Sequence, residues 1–397
     1  MSRRWAAVVL NAVIVAAFIG PGTVTAAASA GSKFGSTLLW AMTFSVVACF
    51  VLQEMSARIT ILSGRELGTC FRSDLAVADG LRRVLVVLVL AAVVIGCTAY
   101  QAGNLLGAVA GIGTVFPLNA SWMTGVVVVL AGLLLALGSP RRIAAGLTAL
   151  VAIMGLAFVG LAISADPGVG KLLKDGLIPT VPPGSETLIL ALLGTTVVPY
   201  NLFLGSGVAR GRDLADTRWG IAIAVGLGGV ISMSVMVAAS GLEGPFSFSV
   251  LGDLFGDRWG AAGRGLFAAG LMAAGLTSAV TAPWAAALTV RSLVGDAGAK
   301  RWAFAGTHFR GVWMTILAIG AGVALSGVRP VPVIVAAQAL NGAILPMVAI
   351  LLLVLGNDRK LLGPEGVNSR GFNALTVLVI GLCLLLGWNQ WHALMTS

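Results

Sequence analysis

Residues 8–31 read VVLNAVIVAAFIGPGTVTAAASAG, an uncharged run interrupted in its middle by Gly20-Pro21-Gly22. The run exceeds the ~20 apolar residues a helix needs to cross a bilayer. Proline removes a backbone donor and clashes with the preceding turn, and glycine adds freedom, so the helix is expected to unwind there. Unwound backbone at membrane depth survives only where it lines a cavity inside the protein. The break therefore reads as one wall of an internal site.

The rest of the chain agrees with a membrane setting. It is 58% hydrophobic and only 10% charged, more apolar surface than one soluble core can hide. Apolar windows recur at 5–31, 36–57, 84–109, 123–139, 143–164, 187–207, 219–242, 260–290, 311–326, 331–356 and 371–390, which predicts eleven spans. None shows the period-two alternation of a membrane barrel strand, so the spans are helical. The first is kept as a span because its apolar stretch is too long for a signal-peptide core and shows no clear cleavage site.

With the N-terminus in the cytoplasm, only Lys33, Lys171, Lys174, Arg258, Arg264 and Arg329 of the 25 Lys and Arg residues fall outside. That asymmetry obeys the positive-inside rule and places the chain as a multi-pass protein of a bacterial-type inner (plasma) membrane. The net charge of +10 is thereby accounted for by topology, and no nucleic-acid partner is called for. Trp5, Trp122, Trp219, Trp388 and Trp391 fall near span ends, as an interfacial belt would. Cys49, Cys70, Cys97 and Cys383 are dispersed, Cys70 in a loop, and fit neither a disulfide framework nor a metal pattern. No phosphate-binding loop is present, so ATP is not expected as a partner; neither an enzymatic activity nor a cofactor is indicated.

A second break, at Gly194 and Val198-Pro199-Tyr200-Asn201, interrupts the sixth span. Interrupted helices opening two successive five-span units are the pattern of inverted-repeat secondary transporters. The expected organisation is 1–164 for the first repeat, 165–186 for an extracellular loop, 187–356 for the second repeat, and 357–397 for a cytoplasmic loop and an added eleventh span.

Four further segments carry a family resemblance: Leu52–Gly68 (LQEMSARITILSGRELG) after SKFGSTLLWAMTF, Gly176–Ser206, Ala273–Ala287 (AAGLTSAVTAPWAAA), and QALNGAILP with NDRKLLG. Over nearly its whole length the chain resembles the Nramp family of proton-coupled divalent-metal transporters. The resemblance implies an all-α LeuT-type fold, a 5+5 inverted repeat plus one helix with helices 1 and 6 unwound, and a midplane site between them.

It also implies a changed site. The family's Asp-Pro-Gly-Asn motif falls on Gly20, Pro21, Gly22 and Thr23, so Gly20 replaces the metal-binding Asp. In the sixth span the ligating Met becomes Val198, the ligating carbonyl falls on Thr195, and the His becomes Tyr200. Two proton-pathway carboxylates of the third span become Gln101 and Asn104, which hydrogen-bond but do not titrate. Gln338 matches a family glutamine, and Asn201 follows the second break. No high-affinity transition-metal site is expected from such a set, and strong proton coupling by the family's route is not expected either.

Two cargoes stay open. One is a small polar organic solute or carboxylate at the helix breaks, where free backbone N–H groups favour an electron-rich group. The other is a hydrated divalent cation such as Mg²⁺, as in the Nramp-related magnesium transporters, with residual Mn²⁺ or Fe²⁺ transport a weaker third. Each residue also has a plain structural reading: Thr23 and Thr195 back-bonding to their helices, Tyr200 packing, Gln101, Asn104 and Gln338 tying helices together, and Asn201 satisfying freed backbone.

Overall fold

A computed structural model describes residues 19–137, 140–294 and 298–396, excluding the side chains of 140–146, 148 and 390–396. The first half of the first predicted span, with Trp5, lies outside the described residues, as do the side chains of Trp391, Arg141 and Arg142. The helices, in order, are α1 (Pro21–Phe34), α2 (Leu39–Ser63), α3 (Leu67–Ser73), α4 (Asp79–Gly113), α5 (Ala120–Ala136), α6 (Pro140–Ser164), α7 (Val169–Leu177) and α8 (Glu186–Thr196). They continue as α9 (Pro199–Ala209), α10 (Leu214–Ala239), α11 (Phe248–Val294), α12 (Thr307–Leu325), α13 (Pro330–Gly356), α14 (Arg359–Leu362) and α15 (Arg370–Thr396). No strand occurs among the described residues.

Every predicted apolar segment falls on helix where it is described, but eleven crossings are not established by length and apolarity alone. Among the described residues, eight helical stretches are long and apolar enough to cross a membrane. Ala149–Ser164 of α6 meets that standard together with α7, from which it is bent by 115°, and α5 is a shorter apolar helix. α11 is not one continuous helix: its two parts meet at a kink at Trp259 and Gly260, where φ is +65°, and the second carries the predicted eighth segment, 260–290. That left-handed backbone favours glycine, which lets the chain turn there. Cys70 is likewise not in a loop. It is buried on α3, and burial pushes its thiol above the ordinary range despite a bond to Ser63.

Both helix breaks have a local cause. Gly20 is extended (φ −112°, ψ −176°) and Pro21 starts α1 at a position where its missing N–H costs nothing. Downstream, α8 ends at Thr196, Val197 leaves helical geometry (φ −109°, ψ 73°), and Pro199 starts α9.

Small residues then bring the surrounding helices to backbone contact. A methyl group at Gly31 of α1 would strike the carbonyl of Met236 in α10, and one at Gly275 of α11 would lie 2.6 Å from Ala108 Cβ in α4. The same applies to Gly194 of α8, which abuts the backbone of Gln338 and Gly342 in α13. These close approaches fix α1, α4, α8, α11 and α13 around the two breaks.

Candidate functional site

The site is assembled from residues of several neighbouring helices. A side chain at Gly20 would begin 2.9 Å from Ser278 Oγ (α11) and 3.3 Å from Tyr100 Oη (α4), so two hydroxyl-bearing side chains fill the space that residue would point into. Pro21 seats against Gly107 of α4, where only a glycine leaves room for its ring. At Gly22 the side-chain amide of Gln338 lies where a methyl group would go, its Cδ 2.7 Å from that position. Glycine is thus required at 22 for α13 to reach the break.

The two breaks are joined by a hydrogen bond between Thr23 Oγ1 and Thr195 Oγ1 at 2.8 Å, both buried. Tyr200, in the first turn of α9, packs edge-on to Tyr100 with ring centroids 5.7 Å apart. On the far side of α4, Gln101 donates from Nε2 to the carbonyl of Ala279 (3.1 Å), tying α4 to α11. Val198 is the extended residue before α9, and Asn104 and Asn201 are buried on α4 and α9.

The predicted residues of α1, α8, α9 and α13 therefore lie at the breaks, whereas Gln101 turns toward α11 and α12 and Asn104 is buried on α4, and Ser278 is a member that sequence reading did not identify. A signal for it existed in the Thr277-Ser278 pair inside the apolar run of α11.

The shell is uncharged and under-bonded. Among the described residues no group of three or more His, Cys, Asp or Glu is placed to hold a metal ion. Gln101 Oε1, Asn104 Nδ2, Ser278 Oγ, Gln338 Oε1 and both side-chain polar atoms of Asn201 are buried without a protein partner. Buried polar atoms are rarely left so, because each forfeits its hydrogen bonds to water at a cost of about 1–3 kcal/mol. That concentration makes the helix breaks the candidate site for a ligand's polar groups.

A sequence-family comparison matches residues 11–391 to "Nramp: Natural resistance-associated macrophage protein-like". The chain belongs to the Nramp family. It is accordingly a transporter and not an enzyme. Along the sequence it is 25% identical over 391 residues to a divalent metal cation transporter, MntH, of Klebsiella pneumoniae, covering 94% of this chain and 90% of that one. In three dimensions it is similar to a manganese transporter of Eremococcus coleocola, with a TM-score of 0.76 at 19% identity over 95% of this chain and 84% of that one. It is also similar to MhsT, crystallised with L-phenylalanine, with a TM-score of 0.63 at 16% identity over 95% and 98% of the two chains. These likenesses establish the LeuT-type architecture for this Nramp protein.

A second polar cluster lies in the same Nramp fold, toward the end predicted to face the cytoplasm. Glu54 of α2, 1% exposed, binds Arg58 Nε at 3.1 Å and Arg218 Nε of α10 at 2.7 Å. Arg58 also donates from Nη2 to Asn368 Oδ1 (2.6 Å) and from Nη1 to the carbonyl of Gly366. The sequence alone does not reveal this network, whose members run along the chain from Glu54 to Asn368. Nearby, Ser56 Oγ donates to the carbonyl of Leu202 (2.6 Å), and Thr60 and Ser206 share a hydrogen bond at 2.7 Å, binding α2 to α9.

Proposed function

We propose that this chain is a secondary transporter that works by alternating access, with a small polar organic solute, carboxylate-bearing or neutral, as its cargo. The observation that carries the reading is the filling of the space beside Gly20 by Tyr100 and Ser278, within a shell that has no charge. A divalent transition metal must exchange waters for anionic or soft ligands, and a charge brought into such a site without compensation is strongly disfavoured. Amides and hydroxyls with free donors and acceptors suit a neutral or zwitterionic molecule instead. Neither Gly20 nor Val198 caps its helix with a side chain, so N–H groups of α1 and α9 are available for an electron-rich group of the cargo.

In this reading residues 1–164 and 187–356 are inverted five-span repeats, 165–186 is the external loop, and 357–397 is the addition. The N-terminus is cytoplasmic. Because the site residues are buried, the cargo enters when the first, second, sixth and seventh spans (α1, α2, α8 with α9, and α10) rock against the third, fourth, eighth and ninth (α4, α5, α11 and α12).

One observation favours a second reading. Relatives that align over most of the chain are named divalent metal cation transporters, and a hydrated cation such as Mg²⁺ keeps several of its waters when bound. Uptake into proteoliposomes decides between the two. Small amino and carboxylic acids should accumulate, whereas saturable Mg²⁺ influx that falls in Thr23→Ala would overturn the organic-solute reading. Calorimetry with Mn²⁺ and Cd²⁺ should show no saturable heat; a micromolar isotherm would mean that the metal site survives.

A further inference from the structure

Away from the helix breaks, a cavity of about 650 Å³ opens between α2, α6, α7 and α10, a size typical of small-ligand pockets. Its walls are apolar, with Val159 and Ile163 from α6, Leu172 from α7, and Val230, Met233 and Val237 from α10. The hydroxyls in it are already used. Thr43 Oγ1 donates to the carbonyl of Leu39 at 3.1 Å, and Ser234 Oγ to that of Val230 at 2.8 Å. With its hydroxyl donors committed to the helices, the cavity offers little to a polar solute and suits a hydrocarbon.

The helix over this cavity shows what kind of hydrocarbon. In α7, Val169, Leu172, Leu173, Gly176 and Leu177 form one face, spaced three and four residues apart, while no residue of the helix is buried by the protein. Val169 and Leu177 are more than 70% exposed, and the helix is bent by 115° from α6. That is the form of an amphipathic helix lying in the membrane surface, with its apolar face toward the acyl chains.

Lys171 and Lys174 occupy its other face and are exposed. Asp175 beside them is engaged by Ser36 Oγ, and Asp166 lies at the cavity's edge. Lysine stems reach along apolar surface to place an ammonium among lipid phosphates.

We propose that this cavity is a phospholipid site: one acyl chain lies between α6 and the α2–α10 pair, and the phosphate is held by Lys171 and Lys174. A chain in that position is a wedge between helices that the transport reading moves and one that it does not, so occupancy couples lipid composition to opening of the outer end. The binding itself does not depend on what the cargo is.

The test is native mass spectrometry of the full chain released from nanodiscs of dioleoyl-phosphatidylglycerol, with dioleoylglycerol, which lacks the phosphate, as the second probe. A methyl group at Gly176 meets only Thr43 Oγ1, at 3.6 Å, so Gly176→Leu projects into the cavity without a backbone clash. Excluding about two methylenes of acyl chain should reduce retained phosphatidylglycerol by about tenfold. Lys171→Ala/Lys174→Ala should bring retention of phosphatidylglycerol down to that of dioleoylglycerol, and Leu384→Ala, on a lipid-facing surface elsewhere, should change nothing.

Equal retention by wild type and Gly176→Leu, or equal retention of the two probes by wild type, overturns the proposal. A measurement free of variants is photolysis of phosphatidylglycerol bearing an acyl-chain diazirine in proteoliposomes. Adducts are expected on residues 230–237 of α10; their absence there, with labelling elsewhere on the lipid-facing surface, refutes the site.

Discussion

In our reading Gly20 stands where the family resemblance implies a metal-binding Asp, and the space beside it is taken by Ser278 and Tyr100. Ser278 and Tyr100 have closed over it, so Gly20→Asp alone should fail to create Mn²⁺ binding by calorimetry. The crowding itself is measurable with a smaller change. Gly20→Ala places Cβ 2.9 Å from Ser278 Oγ but 3.7 Å from Ser278 Cβ. The single variant should lose about 1–3 kcal/mol to overpacking, and Ser278→Ala in the same background should recover most of it, a coupling that thermal unfolding of the four proteins in one detergent reads directly. Thr23 and Thr195 follow a related logic. Thr23→Val removes the partner of the buried Thr195 hydroxyl and should cost about 1–3 kcal/mol, Thr195→Val removes the same bond from the other side, and the double variant should be less destabilised than the sum of the two. Transport should fail in all three, because the hydroxyls face the cargo in our reading.

How the helices come together was only partly legible from sequence. The two breaks could be read because proline and glycine act locally, through a missing donor and an absent Cβ, and Pro21 and Pro199 do start α1 and α9. What closes the site could not be read that way, since Thr23 and Thr195 are 172 residues apart and a side chain's partner across a bundle depends on rotations that hydropathy does not encode. Gly194 illustrates the boundary. From the sequence it reads as part of the second break, whereas the structure places it inside α8 and on the backbone of α13, at the carbonyl of Gln338 and the amide of Gly342. Backbone cannot yield as a flexible side chain can, so Gly194→Ala should cost more than Gly20→Ala, about 3 kcal/mol or more. Size-exclusion profiles of the purified variants should show Gly194→Ala largely aggregated while Gly20→Ala remains monodisperse.

In the alternating-access reading one end must be held while the other opens, and the Glu54–Arg58–Arg218 cluster is the expected hold at the end predicted cytoplasmic. Glu54 holds Arg218 and so fastens α2 to α10, while Arg58, 4% exposed at its side chain, spends one face on Glu54 and the other on Gly366 and Asn368 and so fastens α2 to the segment between α13 and α15. Removing the charge of Glu54 leaves Arg58 buried and uncompensated, a change that typically costs about 3–5 kcal/mol. The loss falls on the closed arrangement and is relieved when that end opens and Arg58 meets water. Glu54→Gln should therefore shift the population toward states open at that end. Cys70 supplies a native reporter: it is buried at that end, and burial holds its thiol above the ordinary range. A raised thiol pKa means little thiolate at neutral pH, so maleimide labelling of the wild type should be slow and should keep rising as pH passes the usual thiol range. The remaining cysteines, Cys49, Cys97 and Cys383, are also buried, so the background is low and Cys70→Ser defines it. Glu54→Gln should label several-fold faster than wild type at the same pH, with the gain abolished by Cys70→Ser. Unchanged labelling in a folded Glu54→Gln protein would mean that the ion cluster stabilises α2 without gating it, and the hold would then have to come from the Ser56–Leu202 and Thr60–Ser206 contacts between α2 and α9.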